Sequence, residues 1–186
     1  MLHWLGKWIL RLGRWEIANL PPDIPQMIII GGPHTSNWDF VYALSLRYAV
    51  KLELRYLIKQ EWMDTPLKRF FHATGGYGVN RSKKENMVDF AADIFSKEPN
   101  FVLALSPEGT RAKVEKLRSG FYHIAHKAKV PLVLFALDYG KREFRFSEPF
   151  FTTDDKAADM AYIVDWFGKV AGKNPDLGIG WSPTTD

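Results

Sequence analysis

The stretch MIIIGGPHTSNWDF, residues 27–40, decides the reading of this chain. Met27 to Ile30 form a short apolar run that stops at Gly31-Gly32-Pro33. A run of that length closed by Gly and Pro reads as a buried strand. Thr35, Ser36 and Asn37 are helix-capping types, and the pattern beyond them is helical over residues 40–50. The unit is therefore strand, loop, helix. FVLAL at 101–105 repeats it, running into SPEGTR at 106–111 ahead of a helix predicted over 120–129. Other strands are predicted at 54–58, 77–80 and 132–137, with a hairpin arm at 144–146. Other helices are predicted at 66–72, capped by Thr65, and at 85–97 and 157–170. Strands alternating with helices indicate an α/β fold whose mostly parallel sheet is flanked by helices. Ligands of such sheets sit outside the carboxyl ends of the strands, and the loops at 32–39, 76–81 and 106–111 all follow strands there.

The 186 residues suit one α/β domain over 21–186, preceded by an N-terminal amphipathic helix within 1–20. The chain has no Cys, which excludes disulfides, thiolate metal sites and Cys nucleophiles. Its net charge of +4 suits an anionic membrane or anionic substrates. Nucleic acid is an equally basic match by charge, but no recognition motif accompanies it, and no nucleic-acid partner is expected. No run of about 18 apolar residues is present to span a membrane, and no small-residue cleavage site closes the N-terminal segment. A cytoplasmic protein, peripheral on the inner face of the cell membrane, is expected. Residues 172–186, rich in Gly, Pro and Thr, are expected to be irregular.

Residues 2–18 read as one helix stopped by Pro21 and Pro22. At about 100° per residue, Trp4, Leu5, Trp8, Ile9, Leu12 and Trp15 share one side, and His3, Lys7, Arg11 and Arg14 the other. Trp on the apolar side with Lys and Arg opposite is the pattern of a helix lying in a bilayer interface. The alternative is a helix that packs its Trp stripe on the domain. Gly6, Gly13 and the misplaced Leu10 fit the interfacial pattern less well.

Three loops carry groups with chemistry. Residues five apart on a continuous helix lie about 140° from each other, so His34 and Asp39 meet only if the chain bends between them. Pro33 and the capping residues supply the bend. With Ser36 or Asn37 as cap, Asp39 falls in the first helical turn, where the helix dipole favours its ionised form. It can then bond one ring nitrogen of His34 and leave the other to act as a base. This is the base–orienter half of a triad without a protein nucleophile. Gly75-Gly76-Tyr77-Gly78 permits close backbone approach, and Arg81 beyond it can clamp a phosphate or carboxylate. In the third loop Gly109 can adopt positive φ and turn backbone N–H groups into an anion nest. Glu108, if buried, needs a partner such as Arg81 or Arg111. Arg118-Ser119-Gly120 opens the next helix, whose N–H groups can also face an anion.

Together these loops resemble the blocks of the glycerolipid acyltransferase family typified by lysophosphatidic acid (1-acylglycerol-3-phosphate) acyltransferases. His34, Ser36 and Asp39 match its His-x-Ser-x-x-Asp block. Gly76 and Arg81 match Gly-x4-Arg. Pro107, Glu108, Gly109, Thr110 and Arg111 match Pro-Glu-Gly-Thr-Arg in full. Arg118 and Gly120 look like the basic-x-Gly that follows, and 130–135 like the fourth block. Pro33 stands where the family commonly has Asn, and Leu134 where it commonly has Pro. The resemblance implies transfer of a fatty acyl group from acyl-CoA or acyl-carrier protein to the hydroxyl of a lysophospholipid, with lysophosphatidic acid the default acceptor. It implies His34 and Asp39 as catalytic, and Gly76, Arg81, Glu108, Gly109, Thr110 and Arg111 as binding the acceptor phosphate. No metal and no cofactor are required, because the donor thioester is already activated. A non-catalytic lipid- or phosphate-binding module is the competing class. An esterase would need Gly-x-Ser-x-Gly, which does not occur.

Overall fold

Strand β2, Gln26–Gly32, is apolar after Gln26 because both its faces are covered. Ile28 and Ile30 point to one side and Met27 and Ile29 to the other, and all four are buried. In the computed structural model, which describes residues 2–79, 87–109 and 117–177, β2 lies inside a seven-stranded sheet. The other strands are β1, Glu16–Ile17; β3, Arg55–Lys59; β4, Gly76–Val79; β5, Phe101–Leu105; β6, Leu132–Asp138; and β7, Glu143–Phe146. Their spatial order is β1-β7-β6-β2-β5-β3-β4. Every pairing is parallel except β6 with β7, so the mostly parallel α/β sheet read from the sequence is the fold.

The helices are α1, Leu2–Leu12; α2, Trp38–Val50; α3, Gln60–Met63; α4, Lys68–Thr74; α5, Met87–Lys97; α6, Gly120–Ala128; and α7, Lys156–Phe167. One core gathers Ile28, Ile30, Leu103, Leu132 and Leu134 with α5, α6 and α7. The second gathers Met27, Ile29, Val133, Leu137, Phe144 and Phe146 with Leu10, Trp15 and Leu46. From β2 the chain moves through α2 to β3 and β4 on one side. After β5 it crosses to β6 on the other side of β2. The carboxyl ends of β2 and β5 therefore flank the point where strand order reverses, the usual seat of a ligand in such sheets.

Most predicted elements are present within a few residues. Strand β2 runs two residues further than expected because Gly31 and Gly32 still pair with Phe135 and Ala136 of β6. Strand β1 and helix α3 carry no signal of their own. The first is two residues held by β7, and the second is a single turn.

Helix α1 corrects the expectation of a helix over 2–18. It stops at Leu12 because Arg14 takes a left-handed conformation, φ 55°. The Trp15 N–H then donates to the Leu10 carbonyl at 2.9 Å, and the Arg14 N–H to that of Arg11 at 3.1 Å, a Schellman closure. The residues that spoil the amphipathic pattern turn out to form the packing face. Leu10 is buried, and a Cβ on Gly6 would lie 2.5 Å from the Ser45 carbonyl oxygen of α2. The helices approach closely through that gap. The Trp stripe consequently faces outward, with Trp4 73% and Trp8 59% exposed beside exposed Leu5 and Leu12. Trp15 leaves the stripe and is buried against Phe144, Tyr42 and Tyr139. Among the described residues no helix is long and apolar enough to cross a membrane.

Candidate active site

Strand β2 ends at Gly32, and residues 33–37 turn sharply before α2 begins. This turn brings His34 back onto Asp39. The His34 Nδ1 lies 3.0 Å from Asp39 Oδ2. The same oxygen accepts the backbone N–H groups of Thr35 and Ser36, each at 2.8 Å. Asp39 thus holds the loop that carries its own histidine, while Ser36 or Asn37 was expected to cap the helix. Asn37 occupies the cap position without a side-chain bond, whereas Ser36 Oγ accepts only from the Trp38 N–H, at 3.2 Å. The second Asp39 oxygen, Oδ1, accepts the hydroxyl of Tyr139 at 2.7 Å.

Asp39 is 5% exposed. Burial alone would raise its pKa, but hydrogen bonds from His34, Tyr139 and the Ser36 N–H outweigh that and hold it below the ordinary carboxylate value. An ionised Asp39 is acceptor-only, so the His34 Nδ1 carries the proton and Nε2 is the basic nitrogen.

Glu108 is buried at the end of the β5 loop. Its Oε2 accepts the backbone N–H of His34 at 2.7 Å. Its Oε1 has no hydrogen-bond partner among the described residues. Burial pushes its pKa up, opposed by the His34 N–H. The Pro-Glu-Gly-Thr-Arg loop therefore reaches across to the histidine loop and holds its backbone. The next residue, Gly109, has φ 64°. A Cβ there would come within 2.8 Å of Arg118 Nε. Glycine both permits the turn and lets the Arg118 guanidinium lie on the loop.

His34, Asp39, Gly109 and Arg118 all line one cleft of about 1050 Å³. Pro107 and Gly120 also line it, and Leu44, Leu46, Leu52, Leu54 and Phe146 give it a largely apolar wall beside these polar groups. Such a cleft, with a few convergent polar groups, is the general form of a small-ligand site. Among the described residues no group of three His, Asp or Glu is gathered that could hold a metal ion.

Of the predicted site residues that the structure describes, Gly76 and Glu108 do not line this cleft. Glu108 lies behind it on the His34 backbone, whereas Gly76 is remote from that contact. It begins β4, where a Cβ would meet the Phe71 carbonyl oxygen at 3.0 Å, so its smallness serves the packing of α4 on the sheet. Arg81, Thr110 and Arg111 lie outside the described residues. The chain sequence contains no signal for Tyr139, which stands 100 residues from Asp39. Nor does it indicate that Asn174 ties down the histidine loop. Asn174 donates from Nδ2 to the Thr35 carbonyl at 2.8 Å and from its backbone N–H to Thr35 Oγ1 at 3.2 Å.

The acyltransferase family model matches residues 16–137, more than half of the chain and a span that includes all three loops. The chain belongs to the acyltransferase family. Among solved structures, it is similar to the 1-acyl-sn-glycerophosphate (LPA) acyltransferase PlsC from Thermotoga maritima. The two share 16% sequence identity at a TM-score of 0.60, over 89% of this chain and 74% of that one. At that identity the likeness is one of fold. Among curated proteins, none matches the chain. Family membership assigns acyl transfer as the type of chemistry. It leaves donor and acceptor to be argued from this acyltransferase's own cleft.

Proposed function

We propose that this acyltransferase moves a fatty acyl group from acyl-CoA or acyl-carrier protein to the hydroxyl of a lysophospholipid, with lysophosphatidic acid the default acceptor, in phospholipid biosynthesis. The observation that carries this reading is the His34–Asp39 pair lining a largely apolar cleft. His34 Nε2 takes the proton of the acceptor hydroxyl as that oxygen attacks the thioester carbonyl. Asp39 holds the ring and balances the imidazolium that forms. The C–S bond then breaks, and the imidazolium returns its proton to the leaving thiolate. An activated thioester and a positioned alcohol need no protein nucleophile, since orientation supplies most of the gain. The apolar walls suit the acyl chain.

In this reading the acceptor phosphate is bound by Arg81, Thr110 and Arg111, with the Gly109 turn shaping the loop. Gly76 contributes by starting the strand that leads in sequence toward Arg81. Glu108 serves the site by holding the His34 backbone, since a carboxylate opposite a phosphate would repel it. Arg118 adds a guanidinium on the same rim. Replacing Arg81 with alanine is expected to raise the acceptor KM about tenfold or more, with a smaller change in kcat. An unchanged acceptor KM in steady-state assays would contradict the clamp.

The outward Trp stripe of α1 supports a peripheral position on the inner face of the cell membrane, where lysolipids reside. Deleting the helix would also remove buried Leu10 and uncover the face of α2 that Gly6 packs on, so a change in binding would not isolate the Trp stripe. The double variant Trp4→Ala, Trp8→Ala touches only exposed rings and is expected to lower partitioning to anionic liposomes at least tenfold, on the order of the apolar area removed. Sedimentation with vesicles checks this, and equal binding by the variant would assign the stripe another role.

The deciding experiment is mass spectrometry of the products formed from a mixed lysolipid panel with acyl-CoA and with acyl-carrier protein. A diacyl product from one acceptor names the substrate. Release of free thiol without any acylated lipid would overturn the reading in favour of hydrolysis.

A further inference from the structure

We infer that Tyr139 is a positioning residue of this acyltransferase, acting on the base through Asp39. Asp39 has two oxygens with unequal loads. Oδ2 takes three donors, all from its own loop: the His34 ring, the Thr35 N–H and the Ser36 N–H. Oδ1 accepts the Tyr139 hydroxyl at 2.7 Å, from the end of β6 in the core that α2 also packs on. A carboxylate bonded on one oxygen only can still rock about its Cβ–Cγ bond. A second donor on the other oxygen fixes its plane, and hence the direction in which Oδ2 meets the imidazole.

The phenol is itself well anchored. Tyr139 follows β6 directly, and its N–H donates to the Ala171 carbonyl at 2.8 Å. The turn beyond it is pinned by Asp138 Oδ1, which accepts from the Gly140 N–H at 2.9 Å and the Lys141 N–H at 3.1 Å. The ring meets Trp15 edge-on at 5.0 Å and Tyr42 at 6.2 Å. Burial, and then Asp39 itself, push the Tyr139 hydroxyl pKa far up. It therefore remains a donor throughout the range in which an imidazole titrates. Among the described residues the groups facing Asp39 and this phenol are few. They are His34 on the same loop, Glu108 from the loop after β5, and Tyr42 one turn along α2. Lys173, from the C-terminal segment, lies over Trp38 beside the start of the helix.

Removing the hydroxyl leaves the carboxylate's charge less compensated, so the imidazolium of His34 is favoured and its protonation moves to higher pH. Tyr139→Phe is the test, with Tyr42→Phe as control for aromatic packing. In CoA-release assays, Tyr139→Phe is expected to lower kcat about tenfold with acceptor KM unchanged. The acid limb of the pH–rate profile should move up by about half a unit, and Tyr42→Phe should leave both as in wild type. The activity readout rests on the acyl-transfer reading. NMR titration of the His34 ring nitrogens does not, and it should show the same upward move in the unliganded protein. A wild type that acylates nothing would sink that reading and leave the NMR test standing. If the His34 titration and the acid limb are unmoved in Tyr139→Phe, the phenol only packs and the inference is overturned, whatever happens to kcat.

Discussion

His34→Ala is expected to lower turnover by at least about 10²-fold while leaving the fold intact. Both halves follow from the geometry. In the proposed mechanism the ring supplies Nε2 as the base, and among the described residues no second imidazole lines the cleft. The backbone of residue 34 keeps its place without the ring, because its N–H still donates to Glu108. Thr35 and Ser36 likewise stay bonded to Asp39 through their backbones. The measurement is the rate of CoA release with lysolipid present, alongside a thermal melt. A variant that melts like wild type and also turns over like wild type would remove His34 from the chemistry.

Asp39→Asn should lower kcat by roughly 10²–10⁴-fold and also cost stability. The amide has nearly the shape of the carboxylate but only one oxygen. If that oxygen faces the His34 ring and the Thr35 and Ser36 N–H groups, the geometry survives and only the charge is lost. The imidazolium formed on proton uptake then has no counter-charge. If the amide flips, its NH₂ meets three donors, and the loop loosens. Hydrogen bonds to a charged acceptor are worth more than neutral ones, so a stability loss of about 1–3 kcal/mol is expected. The pH dependence has a definite sign. Asp39 has a lowered pKa in the folded state. Its contribution is therefore complete above the ordinary carboxylate range and vanishes as pH falls through the folded value. The stability gap between wild type and Asp39→Asn should close on acidification. A gap that instead widens in acid would mean that Asp39 is not the ionised member of the pair. The kcat loss is checked in the same assay as for His34→Ala, and a rate within threefold of wild type would contradict the orienting role.

The alternation of strands and helices was legible because each signal is local. Ile28 and Ile30 on one face of β2, and Met27 and Ile29 on the other, are what a strand covered on both sides requires. The His34–Asp39 contact was legible for the same reason, since the bend lies in the four residues between them. Helix α1 was read only in part. Its apolar stripe was apparent, but hydrophobicity alone could not say which face packs. Gly6 and Leu10 looked like flaws in an amphipathic helix, yet they are the face on which α2 sits. Close helix approach depends on the absence of a side chain, which a count of apolar residues does not register. Gly76 shows the converse, since its motif position suggested a ligand loop and its surroundings give a packing reason.

The order of elements and the His34–Asp39 contact were determined by the sequence on its own, because each depends on residues within one turn or one strand of each other. The mostly parallel sheet followed from the alternation of strands and helices. Tertiary structure decided what surrounds the His34–Asp39 pair. Glu108 reaches the His34 N–H across 74 positions, and Tyr139 reaches Asp39 across 100. Contacts of that span exist only once β2, β5 and β6 lie side by side, and no local pattern of hydrophobicity or capping encodes them.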